Sequence, residues 1–392
     1  MNLFWFLTSV IQYNLTWDKR ASIKKMKQMI EEAGPVWQKF AQTLSGQEDL
    51  IGSDLAIELQ DILCDCPKHS DSYSKKVISK DFGNKYDLSQ MELIGSGTIA
   101  QVYRLGDVCI KIKHPNVEEE VMDAVSSYRN IRNTIPFLPV ILKQVCDNFF
   151  EGIEEQLDFQ KEYDNGKLFK KLIHKNTRPE NNLFVIPRML DKSVECLVME
   201  YEPSQPLVLK GRSHLNKHVL LKALHGIVSI YHIGIYHGLL HADLHYGNYG
   251  IRGDLNNLQI VIYDFGHMYD IRNVPFKKRK ALLNAFISLD TENFTKYIIE
   301  DEYHQKQYLN ACDCKNQDKS SIDKNCKYLA KYIIINGVYV DKSIFQTLIA
   351  TEKMMAASNL LLKIEEDPIQ MSPTKYYKTY FPYDDFKVLS NR

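Results

Sequence analysis

The sequence predicts an α+β fold in which a small antiparallel sheet with long helices precedes a larger helical region. Three observations predict it. Apolar residues recur at three- and four-residue steps over residues 18–66, 117–134 and about 141–173. The period changes to two near Met91, where Ile99–Arg104 and Val108–Lys113 form β-branched runs around Leu105-Gly106-Asp107, a hairpin signal. From Asn216 onward the pattern is mostly helical again. Helices segregated from an antiparallel sheet are the mark of this class.

The first helical stretch carries Ile23, Met26, Ile30, Trp37, Phe40, Ala41 and Leu44 on one face and breaks at Gly34-Pro35. Residues 67–90 are polar and read as a connector. Leu183–Ile186 and Cys196–Tyr201 read as strands, and a short hairpin is expected around Tyr249–Ile251 and Leu258–Tyr263. These assignments divide the chain into a helical extension (1–90), a sheet lobe with inserted helices (91–200) and a helical lobe (201–392).

The bulk numbers fit a globular chain able to bury a large core. Of 392 residues 44% are apolar and 25% charged, and 49 basic side chains balance 49 acidic ones. Zero net charge gives no reason to expect a nucleic-acid partner. Eight cysteines are spread without a dense framework, which reads as free thiols in a reducing compartment. The pairs Cys64/Cys66 and Cys312/Cys314 have one intervening residue, unlike zinc spacing. The N-terminus is uncharged up to Asp18 but too short and polar to span a bilayer, which takes about 20 apolar residues. It lacks signal-peptide and transit-peptide character, so an intracellular location, cytoplasmic or membrane-associated, is expected. The segment reads as packed on the protein body. The alternative is a peripheral membrane contact through Leu3, Phe4, Trp5, Phe6 and Leu7.

Four motifs carry chemistry. Gly95-Ser96-Gly97-Thr98-Ile99-Ala100 lies between two expected strands, and such glycine pairs let backbone N–H groups approach phosphates. In the strand Val108-Cys109-Ile110-Lys111-Ile112-Lys113, alternation turns Val108, Ile110 and Ile112 toward the core and Cys109, Lys111 and Lys113 the other way. Lys111, one hairpin after the glycine turn, is placed to reach nucleotide phosphates. Cys109 reads as a small apolar residue on the adenine side of it, and Lys113 as solvated. His241-Ala242-Asp243-Leu244-His245-Tyr246-Gly247-Asn248 has the spacing of a base and a metal-binding amide. There Asp243 orients or deprotonates an attacking hydroxyl and the Asn248 amide oxygen holds Mg²⁺. His241 and His245 read as structural, because Gly247 argues for a loop and the zinc motif needs a helix. Finally, Ile260-Val261-Ile262-Tyr263-Asp264-Phe265-Gly266 delivers Asp264, a second carboxylate for Mg²⁺, from an apolar strand.

Lys111 needs a helical glutamate to hold it. Glu162 is the candidate, with Asp158 four residues earlier on the same helical face. The strand Cys196–Met199 running into Glu200-Tyr201-Glu202-Pro203 puts Met199 behind the adenine. Backbone groups from Glu200 to Glu202 would then bond the base. Together these motifs specify a bilobal protein-kinase-like fold using ATP and Mg²⁺.

The residues also resemble the UbiB-type atypical kinases, or AarF-domain kinases, over about residues 20–300. Gly34 to Gln42 resembles that family's Lys-x-Gly-Gln segment. Ile99-Ala100-Gln101-Val102, Lys111 and His114-Pro115 resemble its nucleotide-loop region. Leu157 to Glu162 with Asn165 resembles its Glu-x-Asp helix, and His241 to Asn248 its catalytic loop. The resemblance implies N-terminal helices folded over the active site, with Lys39 and Gln42 reaching into the cleft. It implies ATPase or small-molecule kinase activity linked to quinone or lipid metabolism. Three departures stand out: Ala41 for the hallmark glycine, Gln156 for the Glu of Glu-x-Asp, and Gly95 and Gly97 in a loop that is alanine-rich in many members. With Gln156 uncharged, Asp158 is the expected partner of Lys39.

No Ala-Pro-Glu signature follows Asp264-Phe265-Gly266, and little room remains for a peptide-docking segment before Pro275. A small-molecule or lipid-related acceptor is therefore expected. The alternatives are a Ser/Thr protein kinase, suggested by Gly95 and Gly97, and a nucleotide-binding pseudokinase scaffold.

Overall fold

The structure is a computed structural model that describes residues 19–45, 51, 54–55, 59, 68–134, 140–176, 183–207, 216–244, 247–288, 290–314 and 322–351. In chain order the elements begin with α1 (Lys19–Glu32), α2 (Pro35–Ser45), α3 (Asp71–Phe82), β1 (Glu92–Ser96), β2 (Ala100–Leu105) and β3 (Val108–Lys113). Then come α4 (Val117–Thr134), α5 (Val140–Glu155), α6 (Phe159–Asn176), β4 (Phe184–Val185), β5 (Met189–Lys192), β6 (Cys196–Glu200) and β7 (Gln205–Pro206). The chain continues through α7 (Lys217–His237), β8 (Leu239–His241), β9 (Tyr249–Arg252), β10 (Gln259–Ile262) and β11 (Met268–Asp270). It ends in α8 (Phe276–Ile287), α9 (Thr291–Ile298), α10 (Glu302–Cys314), α11 (Ile322–Ile335) and a helical stretch at 342–351. The layout is the expected α+β one. Two compact units divide it: Met1–Tyr163 with Met189–Tyr201, and Asp164–Arg188 with Glu202–Arg392.

In the N-terminal unit a five-stranded antiparallel sheet has the order β1-β2-β3-β6-β5. Alternation along β3 buries Ile110 and Ile112 completely, against Tyr103, Cys196 and Val198. The same core face takes Val77 and Ile78 of α3, so residues 67–90 are not the expected connector. Their helix starts where Ser70 accepts from the Tyr73 N–H, and it stops at Gly83, whose φ is +61°. The apolar positions Tyr73, Val77, Ile78 and Phe82, at i, i+4, i+5 and i+9, supply the face that the polar composition hides.

A second core joins α1, α2, α4 and α5. Trp37, Phe40, Phe149, Phe150 and Tyr128 pack ring against ring, with Tyr128 stacked on Phe150 at 4.8 Å. Ala41 is fully buried there, so a small side chain serves close helix packing at that position. The break between α1 and α2 falls at Gly34, at φ +92°, as Gly34-Pro35 predicts. The expected single helix over 141–173 is two helices, because Gln156-Leu157-Asp158 leaves the helix and Asp158 starts the next one.

In the C-terminal unit a four-stranded sheet has the order β4-β10-β9-β7, and β8 pairs with β11. Ile260, Val261 and Ile262 of β10 are all completely buried. The strands β5, β7, β8 and β11 are too short to show a period, and sequence reasoning missed them. Helix α7 is apolar enough over His218–His237 to cross a membrane, but 78% of that stretch is buried inside the protein. Its polar His225, Ser229 and His232 are buried with it.

Candidate active site

The N-terminal unit holds the lysine. Lys111 sits mid-strand in β3, opposite Val102 of β2 and Leu197 of β6, so its backbone is fixed on both sides. Its neighbours Ile110 and Ile112 anchor the core face, and Lys111 stands on the other. Its Nζ donates to both carboxylate oxygens of Glu162, at 3.0 and 2.9 Å. Glu162 is 1% exposed and Lys111 13%. The N-cap of α6 sets the glutamate: the Asp158 carboxylate accepts from Lys161 N–H and its carbonyl from Glu162 N–H. Glu162 thus lies in the first turn, where the helix dipole favours an anion. The Phe159 ring lies 5.5 Å from the Lys111 Nζ and 5.2 Å from that of Lys113.

Two expectations are corrected here. Asp158 is exposed and caps α6, while Lys39 donates instead to Gln156 Oε1 at 3.3 Å. The amide keeps an acceptor oxygen without the charge, which suffices to hold the ammonium. Lys113 is not solvated either: it is 2% exposed and pairs with Glu118. The Gln42 side chain lies outside the described residues.

The glycine turn joins β1 to β2. Gly97 N–H donates to the Ala100 carbonyl at 2.8 Å, Thr98 and Ala100 are buried, and Ser96 is half-buried. Neither Gly95 nor Gly97 has a positive φ. A Cβ at Gly95 would meet nothing within 4 Å, and one at Gly97 only the Ala100 carbonyl at 3.7 Å. The protein itself therefore does not require glycine at either position, and open space remains over the turn.

Cys109 lies opposite Met199 across the β3–β6 ladder, and both are buried. Burial pushes the Cys109 thiol up to about 12, which makes it an inert apolar group at neutral pH. Glu200 pairs with Val108, and Tyr201 N–H donates to the Asp107 carbonyl at 2.8 Å. That donor is committed to the β2–β3 turn. Glu202, in the C-terminal unit, forms an ion pair with Arg252 at 2.7 Å.

The C-terminal unit gathers the other three site residues. Asp243 follows β8, Asn248 precedes β9 and Asp264 follows β10. Pairing of Tyr249 with Ile262 sets Asn248 beside Tyr263, whose N–H donates to the Asn248 carbonyl at 2.8 Å. The Asn248 amide nitrogen donates to the Asp243 carbonyl at 2.8 Å, which leaves the amide oxygen as a metal donor. His241 completes the frame as a neutral ring. Its Nε2–H donates to the Tyr263 carbonyl at 3.1 Å and its Nδ1 accepts from Asp243 N–H at 3.3 Å. Asp264 has φ +57°, a strained value for a non-glycine residue, and its carboxylate accepts from Gly266 N–H. His245 and Tyr246 lie outside the described residues.

Sequence reasoning gave no role to Asn165. Its amide donates to the Phe265 carbonyl at 2.9 Å, and Phe169, one turn on, packs against the Phe265 ring at 5.7 Å. Glu162, Asn165 and Phe169 fall at i, i+3 and i+7, one face of α6. That spacing was the available signal.

A hard carboxylate and an amide oxygen fit Mg²⁺, which keeps few protein ligands and takes the rest from phosphates and water. Among the described residues no group of three or more His, Cys, Asp or Glu gathers as a metal site.

The family model for the ABC1 atypical kinase-like domain matches residues 60–298, more than half of the chain. The chain belongs to the ABC1 atypical kinase-like domain family. An uncharacterised protein of Mycobacterium tuberculosis is 24% identical over 270 residues, 64% of this chain and 54% of that protein. A Dictyostelium discoideum protein named as a probable serine/threonine-protein kinase is 25% identical over 276 residues, 64% of this chain and 39% of that one. The match thus spans about half or less of these relatives' own length. A Mycobacterium tuberculosis protein solved in complex with erythromycin has a similar fold, with a TM-score of 0.51 at 18% identity over 76% of this chain and 80% of that one. The fold is kinase-like.

Proposed function

We propose that this ABC1-domain chain is an ATP-dependent, Mg²⁺-requiring phosphotransferase or ATPase of the UbiB (AarF-domain) type. Its acceptor is a small molecule or lipid-related. One observation carries the reading: the carboxylate that holds Lys111 with both oxygens comes from 51 positions away and is buried, in the first turn of α6. A surface lysine has no use for so costly a partner, since burying an ion pair is offset only by good geometry. A lysine that must meet phosphates in one fixed position does.

Lys111 binds the nucleotide phosphates. Asp243 accepts the proton of the attacking hydroxyl or water as its oxygen bonds to the γ-phosphorus and the bond to the β–γ bridging oxygen breaks, releasing ADP. Asn248 and Asp264 would hold Mg²⁺, which neutralises the charge that develops on the phosphate oxygens. The neutral His241 ring and Asn165 orient these groups through backbone carbonyls. Open space over Gly95 and Gly97 supports close approach of phosphate to backbone.

The test is ATP turnover by the full chain and by Asp264→Asn. Loss of at least a hundredfold in the variant is expected. Equal turnover would remove the reading. The ordinary glycine spacing also favours a second reading, a Ser/Thr protein kinase. Radiolabelled ATP with protein mixtures decides it: ATP consumption without label on any protein supports the small-molecule reading.

A further inference from the structure

A row of side chains behind the glycine turn has no part in the chemistry above. His114 follows β3, and its Nε2 lies 2.8 Å from the Gly97 carbonyl. Its Nδ1 lies 2.8 Å from Nδ1 of His69, and Nε2 of His69 lies 2.8 Å from the Ser74 hydroxyl on α3. Ser74 is fully buried and His114 is 9% exposed.

With both rings neutral, the hydrogens in this row have one arrangement. A carbonyl only accepts, so His114 carries its hydrogen on Nε2. With the ring neutral, its Nδ1 is an acceptor, and His69 must donate from Nδ1. The His69 Nε2 is then an acceptor, and Ser74 donates to it. The direction runs from Ser74 through both imidazoles to Gly97, with each bond satisfied once. A proton on one ring would reverse the Ser74 bond, with His69 Nε2–H donating to the hydroxyl, and only protons on both rings would set two N–H groups against each other at 2.8 Å.

The surroundings keep both rings neutral. Burial lowers His69 to about 4, the neighbouring His114 adds to this, and Asp71 opposes it. Burial also lowers His114, against the opposing pull of the Gly97 carbonyl. The row is braced from the side: Gln101 accepts from His69 N–H and donates to the Tyr103 hydroxyl at 2.7 Å, which donates to Asp71 at 3.0 Å. Gln101 is 0% exposed. His114 N–H also donates to the Ile99 carbonyl at 2.9 Å, so this residue grips the turn at two carbonyls.

We infer that His114, oriented by His69 and Ser74, is a positioning residue that fixes the Gly95–Thr98 turn for nucleotide phosphates. The turn's own glycines carry no side chain that could pack and hold it, and a Cβ at either would meet no side chain within 4 Å. The imidazole row ties it instead to α3, a helix anchored in the sheet core. The inference rests on the nucleotide reading of the turn, but the hydrogen-bond row stands apart from it.

Two measurements test it. The first is ¹⁵N NMR of the imidazoles in the full chain at neutral pH. His114 is expected as the Nε2–H tautomer and His69 as the Nδ1–H tautomer; a cationic ring or the opposite tautomers would overturn the inference. The second compares Mg-ATP dissociation constants of the wild type, His114→Phe and His114→Gln. Phenylalanine keeps the bulk and loses the bonds, whereas glutamine can donate to Gly97 and accept from His69. About tenfold weaker binding is expected for His114→Phe, the weight of one such hydrogen bond, with rescue to within about threefold by His114→Gln. Binding by His114→Phe as tight as the wild type would overturn it. If the wild type binds no nucleotide, the functional reading fails on its own. Amide exchange at Gly97 and Thr98 then decides the row: faster exchange in His114→Phe than in His114→Gln supports it, and equal exchange refutes it.

Discussion

Replacing Lys111 by methionine leaves the Glu162 carboxylate without its ammonium at 1% exposure. The attraction lost is large. At 2.9 Å with an effective dielectric of about 20, Coulomb's law gives about 6 kcal/mol. Desolvation of both ions offsets part of it, and breaking one side of such a pair costs about 3–5 kcal/mol. Lys111→Met should therefore destabilise the N-terminal unit by that amount. The double variant Lys111→Met with Glu162→Gln removes the stranded charge and should recover at least about 2 kcal/mol, because the two sites are coupled. Urea unfolding followed by tryptophan fluorescence reads this directly, since Trp37 is buried in that unit. If the single changes add to the double within about 0.5 kcal/mol, the pair is not coupled and the reasoning fails.

Other outcomes follow from the same structure. Gly97→Ala should shift stability by less than about 0.5 kcal/mol, because nothing lies nearer than 3.7 Å to the new methyl. It should still weaken Mg-ATP binding about tenfold or more, because the methyl stands where phosphate approaches; unchanged affinity in a titration would contradict that. Gln156→Glu should stabilise by about 0.2–1 kcal/mol by giving Lys39 a charged partner, and the gain should vanish in a Lys39→Met background. Burial lowers His225 to about 4 and His232 to about 3. Their neutral forms contribute stability that is complete above the unfolded value of 6.5 and is lost as pH falls from there toward 4 and 3. Each adds a slope of about 1.4 kcal/mol per pH unit in that window. His232→Phe should flatten the acid limb of a urea-stability profile, and an unchanged slope would refute the assignment.

The sequence made the sheet legible where its period was long enough to read. Six residues of β3 just after Gly106 announce a hairpin, and alternation alone separates Lys111 from Ile110 and Ile112. It did not reveal α3, because the four apolar residues of that helix are diluted among lysines and serines. Only the sheet they cover gives them meaning. Lys113 looked solvated because a lysine usually is; Glu118 and the Phe159 ring, neither predictable as its neighbours, bury it. Asp158 misled in the opposite way. Four-residue spacing suggests a shared helical face, but an Asp preceding an apolar residue also starts helices, and capping won. The frame around Asp243, Asn248 and Asp264 runs through backbone carbonyls and strand register, which no side-chain motif records. The roles of Asn165, His241 and His114 stay hidden for the same reason.

The most direct test is calorimetric titration of the full chain with Mg-ATP, alongside Lys111→Met and Asp264→Asn. Asparagine tolerates the left-handed backbone at position 264, so that variant keeps its fold. One nucleotide should bind the wild type, more weakly without Mg²⁺. Lys111→Met should weaken binding with or without the ion, and Asp264→Asn only when Mg²⁺ is present. A wild type that binds no nucleotide, or that binds it equally well after both substitutions, would contradict the account.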